Sequence, residues 1–213
     1  MSESSTIDSA VQAGKAPTIL GVHHAAFLCF DAAETREFYE KVCGLKTVAA
    51  FTFDGIVDTP VKVRYMHIFF EMADGNCVAF FDLPNHLRPN DFKRTSGFKQ
   101  HIAMTVASEE ELMVFKKRWE AYGYPVDGPL DHHFVKSIYT YDPNGIQVEI
   151  TVRAKDYEAI MAHEQSIVED TMAAWEAETR PNKQAYLERQ RQAAQNSLEK
   201  APAAAAQPAK QSA

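Results

Sequence analysis

The chain has 213 residues, 46% of them hydrophobic and 24% charged, enough for a packed domain with extensions. A net charge of −7 argues against nucleic acid or an anionic membrane as the main partner. No stretch approaches the ~18 consecutive apolar residues of a membrane span, and the start lacks the basic and apolar regions of a secretory signal. Cys29, Cys43 and Cys77 are widely spaced with no C-x-x-C, as expected of reduced thiols in the cytoplasm.

Residues 1–16 are small, polar and aperiodic, which predicts a disordered leader. A structured domain is expected over 17–153, in two modules at about 18–90 and about 97–153. In the first module, "GVHHAAFLCFDAAETREFYEKVCGL" reads as a strand then a helix. Asp31 and Glu34 can form a capping box, Phe38, Tyr39 and Val42 supply a buried stripe, and Gly44 can close the helix. Extended segments follow: "LKTVAAFTF", "KVRYMHIFFEM" and "NCVAFFDL", with "ADGN" as the turn between the last two. The second module repeats the plan. "FKQHIAMTVASEEELMVFKKRWEAYGY" has Ser108 and Glu111 as the box, Leu112, Phe115 and Trp119 as the stripe, and Gly123 as the stop. It continues through "YPVDGP", "FVKSIYTY", the turn "DPNG" and "IQVEITV". The fold class is therefore α+β, with two tandem βαβββ modules whose sheets curve around a cleft, plus a C-terminal helical extension over 154–200. That extension breaks at "RPN" (Arg180 to Asn182), and Ile160, His163, Ile167, Met172 and Trp175 suggest one apolar stripe. The low-complexity end, 201–213, reads as a disordered tail.

A histidine precedes each helix cap at the same offset, His24 before Asp31 and His101 before Ser108. Along the second module's first strand, Ile102, Met104 and Val106 share one face, and His101, Ala103 and Thr105 the other. In the last strand Ile146, Val148, Ile150 and Val152 alternate with Gln147, Glu149 and Thr151, so Glu149 also lies on the face that the helices leave open. A strand histidine or glutamate alone is usually structural or solvated. Two repeat-equivalent histidines and a carboxylate on matching faces can instead form the two-histidine, one-carboxylate set of non-haem Fe(II) sites, which Mn(II) also accepts. Phe51, Phe53, Phe69, Phe80 and Phe134 could line an aromatic pocket, although residues at strand spacing are more often core.

These residues resemble the vicinal oxygen chelate superfamily, which includes glyoxalase I, fosfomycin resistance proteins, bleomycin resistance proteins and type I extradiol ring-cleavage dioxygenases. "FYEKVCGL" is close to its F-Y-x-x-x-L-G-L, with Cys43 in place of a leucine, and "YDPNGIQVEI" is similar to its closing D-P-x-G-x-x-x-E. The resemblance spans about residues 18–153 and is nearest to the extradiol enzymes: His132, Ile138, Tyr139, Asp142, Pro143, Gly145 and Glu149 fit their signature, while Leu130 departs from its first position. It implies His24, His101 and Glu149 as ligands of Fe(II), or of Mn(II). Tyr139 and His132 would then be catalytic groups that hydrogen-bond a catecholic substrate or O2. A homo-oligomer is expected. One position departs seriously: Asn76, in "GNCVAF", stands where extradiol enzymes carry an acid-base histidine, a role that His67 or His86 could take over. The alternative is a glyoxalase-type isomerase, lyase or epimerase. Those enzymes usually take a fourth ligand from the first module, where Ala79 occupies the position equivalent to Glu149. A non-enzymatic binder is a third reading, and the metal triad argues against it.

Overall fold

The computed structural model describes residues 16–55 and 62–199. The expected tail lies outside the described residues, as does the expected leader apart from Ala16. The described residues up to 155 form one compact unit and those from 156 a second.

The first unit contains the two repeats. The first runs β1 (His24–Cys29), α1 (Ala32–Glu37), a π-helical turn (Phe38–Val42), β2 (Lys46–Asp54), β3 (Arg64–Glu71) and β4 (Cys77–Asp82). The second runs β5 (His101–Thr105), α2 (Glu109–Ala121), β6 (Asp127–Asp131), β7 (Val135–Tyr141) and β8 (Gln147–Arg153). Each repeat closes its own four-stranded sheet, ordered β1-β4-β3-β2 and β5-β8-β7-β6. The first strand is parallel to the last in both, and the remaining pairs are antiparallel. The expected α+β architecture of two βαβββ modules is what forms.

The local rules act as the sequence implies. Asp31 accepts the amides of Ala33 and Glu34 at the start of α1, and Ser108 accepts that of Glu111 at the start of α2. Gly44 and Gly123 end the helical segments at φ 75° and 82°, a region that costs a residue with a Cβ. One face of each sheet is buried against the helices. Phe38, Tyr39, Val42, Leu112 and Trp119 pack on Phe70, Phe80, Ile138, Val148 and Ile150, all nearly inaccessible. Burying a large apolar side chain contributes about 1.5–3 kcal/mol, so these helix stripes dominate the core.

Polar contacts tie one repeat to the other. Arg118 of α2 donates to the carbonyl oxygens of Lys41 and Val42, which the π-helical turn leaves without intrahelical partners. The rings of Phe38 and Tyr124 meet edge to face at 4.9 Å. In the β7–β8 turn, Asp142 accepts the amides of Asn144 and Ile146 through Oδ1, and Tyr39 of the first repeat donates to its Oδ2 at 3.3 Å. Asn144 accepts the amide of Phe30 and donates to Thr35, both also in the first repeat. Gly145 completes this turn at φ 76°, where a Cβ would come within 2.7 Å of the Lys93 carbonyl. All three cysteines are buried and unpaired.

The second unit is one 43-residue helix, α3 (Tyr157–Glu199). The expected break at "RPN" is absent: the helix runs through Pro181. Proline forfeits one hydrogen bond and crowds the preceding turn. The flanking side chains support the continuation through a Glu176–Arg180 ion pair and a bond from Thr179 Oγ1 to the Trp175 carbonyl at 2.8 Å. Of the expected stripe, Ile160 and Ile167 are half-buried, whereas His163, Met172 and Trp175 are exposed.

Burial pushes the Asp142 carboxyl up from 3.8 to about 6, against the pull of its donors Ile146, Asn144 and Tyr39. A folded-state pKa above the unfolded one favours folding below about pH 4, and that contribution is lost as pH rises through about 6. The difference in unfolding free energy between the parent and Asp142→Asn should therefore change by roughly 3 kcal/mol between pH 4 and pH 7, as measured by urea denaturation. A constant difference would show that Asp142 has no raised pKa. Gly145→Ala should lower the urea midpoint at every pH.

Candidate metal centre and active site

The open face of the second sheet carries the site. β5 and β8 run parallel with Ala103 opposite Glu149 and His101 opposite Gln147, so His101 and Glu149 are diagonal neighbours on one face. β7 pairs with β8 in the antiparallel sense and sets Tyr139 directly opposite Glu149. His132 arrives from the turn between β6 and β7. There His133 adopts φ 73°, its amide bonded to Asp131 Oδ1 at 2.8 Å, and the His132 amide donates to the Val135 carbonyl. Histidine is among the residues that tolerate this left-handed conformation better than most.

These four side chains form a connected set. His101 Nδ1 lies 2.8 Å from the Gly97 carbonyl oxygen, which can only accept, so Nδ1 carries the proton. Its Nε2 then faces Glu149 Oε2, 3.5 Å away. Tyr139 donates its hydroxyl proton to Glu149 Oε1 at 3.1 Å and lies 2.8 Å from His132 Nε2. A phenol has one proton, so with that proton on Glu149 the His132 Nε2–H is the donor to Tyr139. Burial, and behind it the Glu149 carboxylate, push the Tyr139 hydroxyl above its usual value, which keeps it a donor at neutral pH.

A ring nitrogen and a carboxylate oxygen at this separation can share a cation, either a proton or a metal ion. The arrangement suits a metal. A ligating histidine normally anchors its far nitrogen on a carbonyl or carboxylate, and bonds of about 2.0–2.2 Å from each donor can span the gap. The Glu149 carboxylate is 6% exposed and also bonded by Tyr139, as a ligating carboxylate commonly is. His101 and Glu149 thus fit a divalent ion.

A cavity of about 720 Å³ opens over this set, within the range of small-molecule sites. His101, His132, Tyr139 and Glu149 line it, with Phe98 and Tyr141 as further aromatic walls. His24 is not part of the lining. It sits on the first sheet beside His23, Nδ1 to Nδ1 2.8 Å, with the rings of Phe69 and His67 at 5.3 and 5.6 Å. Among the described residues no group of three His, Cys, Asp or Glu side chains is gathered closely enough to hold an ion. The structure therefore brings together His101, Glu149, Tyr139 and His132, and leaves His24 apart.

The candidates for the missing proton carrier also separate. Asn76 is tied down in its turn, its amide nitrogen donating to Asp74 Oδ2 at 2.7 Å. His86 is exposed in the loop after β4. His67 lies flat on Phe81 at 3.8 Å, its buried Nε2 unpartnered, and burial holds its pKa below the usual histidine range. Ala79 is wholly buried opposite Phe69, so the position equivalent to Glu149 offers no ligand. Of the phenylalanines read as a possible pocket, Phe80 is core and Phe51, Phe53 and Phe134 are exposed. Sequence reasoning missed Gly97, whose carbonyl orients His101 with no side chain to signal it, and Tyr141, whose hydroxyl donates to the Thr95 carbonyl.

A family model described as the glyoxalase/bleomycin resistance protein/dioxygenase superfamily matches residues 21–150. No curated protein matches the chain. Among solved structures, a glyoxylase/bleomycin resistance protein/dioxygenase domain from Frankia sp. EAN1pec is 15% identical at a TM-score of 0.51, covering 64% of this chain and all of that one. The fosfomycin resistance protein FosX from Listeria monocytogenes is 20% identical at a TM-score of 0.48, covering 66% of this chain and 98% of that one. A lactoylglutathione lyase from Agrobacterium tumefaciens is 21% identical at 0.44, covering 63% and 95%.

Glu149→Gln removes the charge that balances an ion while keeping the shape. Affinity for Fe(II) or Mn(II), measured by metal content after dialysis, should fall by more than the roughly 10–100-fold typical of changes behind a ligand. Unchanged metal content would remove Glu149 from the ligand set.

Proposed function

Because the chain belongs to the glyoxalase/bleomycin resistance protein/dioxygenase superfamily, we propose that it is a metal-dependent dioxygenase that cleaves a catecholic ring in the extradiol sense with O2. His24, His101 and Glu149 hold Fe(II), or Mn(II), and Tyr139 and His132 serve the reaction. The observation that carries this reading is the chain His132–Tyr139–Glu149 beside a histidine whose free nitrogen faces the same carboxylate. The open face of the first sheet supports an aromatic substrate, since Phe51 stands opposite His67, Phe53 opposite Tyr65, and Phe69 and Phe81 flank His67. Of the three, His101 and Glu149 line the cavity together, and His24 lies apart on the first sheet. The buried, unpaired thiols fit a cytoplasmic setting.

An ion held by these ligands would supply Lewis-acid chemistry toward a substrate's oxygens. The chain's own groups do the rest. Glu149 and His101 set the orientation of the donor set. By turning its one proton from Glu149 to an oxygen bound above it, the Tyr139 hydroxyl, held by His132, would donate to negative charge developing there. His132, whose Nε2–H donates to that hydroxyl, can supply a proton through it.

One observation favours a glyoxalase-type isomerase, lyase or epimerase as the second reading. Asn76 and its partner Asp74 form a closed pair, so the first repeat has no proton carrier at that position.

Anaerobic loading with Fe(II), then a panel of catechols and oxygen, tests the two. Stoichiometric oxygen uptake with a yellow ring-fission product is expected. Absence of uptake, with turnover of a hemithioacetal under Ni(II) or Zn(II), would replace the first reading by the second. Tyr139→Phe should lower kcat by about 10²–10⁴-fold, as for loss of an acid-base group, while metal content is kept. An unchanged kcat would remove Tyr139 from the reaction.

A further inference from the structure

α3 is about 64 Å long at ~1.5 Å per residue. Most helical stability in proteins comes from packing an apolar face, and this helix exposes large apolar groups in a regular order. Met161, Val168, Met172, Trp175 and Tyr186 are between 41% and 59% exposed. With Gln165, Thr179 and Asn182 they fall at alternating spacings of four and three, the seam of a two-stranded coiled coil. Pro181 lies off this seam.

Charge says what covers the seam. Between residues 157 and 178 there are six carboxylates and no Lys or Arg. Between 179 and 192 there are Arg180, Lys183, Arg189 and Arg191 against Glu188 alone. A parallel pair would set the acidic halves against each other, whereas an antiparallel pair sets each acidic half against a basic one. We propose that α3 is a self-association element through which two copies of the chain pair as an antiparallel coiled coil, its two-fold axis between Met172 and Trp175.

This register matches chemistry at each layer. Met161 meets Tyr186, Val168 meets Thr179 and Met172 meets Trp175, while the two amides of the seam, Gln165 and Asn182, meet each other. Lys183 flanks the seam, its ammonium 5.8 Å from the centre of the Trp175 ring. A shift of one heptad sets Gln165 against Trp175, or Asn182 against Met172, and leaves an amide facing an apolar group. Such a contact is isologous and closes as a dimer. It stands independently of the metal reading, because its tests read mass and cross-links rather than activity.

Sedimentation equilibrium of the full chain should give the mass of two copies at micromolar concentration. Met172→Asp combined with Trp175→Asp should weaken association by more than about 100-fold, since it places unpaired charge in the seam. Oxidising a mixture of the Gln165→Cys and Asn182→Cys chains should give a disulfide-linked heterodimer beyond the parent background. A monomer throughout, unaltered association of the double aspartate variant, or cross-linking of the Gln165→Cys chain to itself alone would each overturn the proposal.

Discussion

The Asp142 carboxylate is the point on which the double-module body turns. It is 5% exposed and satisfied by two amides of its own turn, by Asn144, and by the hydroxyl of Tyr39 from the other repeat. The turn it organises delivers β8, and β8 delivers Glu149 to the open face. Its remaining donor, Tyr39, is itself locked in the core against Phe70 and Phe80. One buried carboxylate thus couples three things: the closure of the second sheet, the docking of the first repeat, and the placement of the carboxylate that faces His101. Burying such a group is costly unless its hydrogen bonds are complete, and here each oxygen has two donors.

The two repeats keep the same buried face and differ on the open one. In the second, the open face presents His101, Glu149 and Tyr139. In the first, the same registers carry His24, the buried Ala79 and Phe69. The packing requirement constrains one side of each sheet tightly, because helix stripes and strand stripes must interlock. The opposite side is free of that constraint, so one repeat presents polar donors and the other aromatic rings.

The readable parts of this fold were those governed by local periodicity and capping. The alternation from Ile146 to Val152 assigned Glu149 to the open face, and the same alternation assigned His101. Ser108 and Asp31 marked helix starts because a side-chain oxygen there satisfies amides that nothing else can. What could not be read depends on contacts far apart in sequence. Whether His24 meets His101 and Glu149 is decided by how one repeat docks on the other, through Tyr39, Asn144 and Arg118, and no periodic pattern encodes those bonds. The carbonyl of Gly97, which fixes the His101 tautomer, has no side chain to give it away. At Pro181 the local rule predicted a stop, and the helix formers on both sides outweighed it.

The three buried thiols have a practical consequence. Burial pushes Cys29 up to about 12 and raises Cys43 and Cys77 as well, so at neutral pH almost none of the reactive thiolate exists in the folded chain. Cys29 lies in β1, Cys43 follows the π-helical turn, and Cys77 starts β4, so all three sample the first repeat. An alkylating probe therefore reports the opening of that repeat and stays blind to the second. The native cysteines make the chain its own reporter of when the first repeat opens.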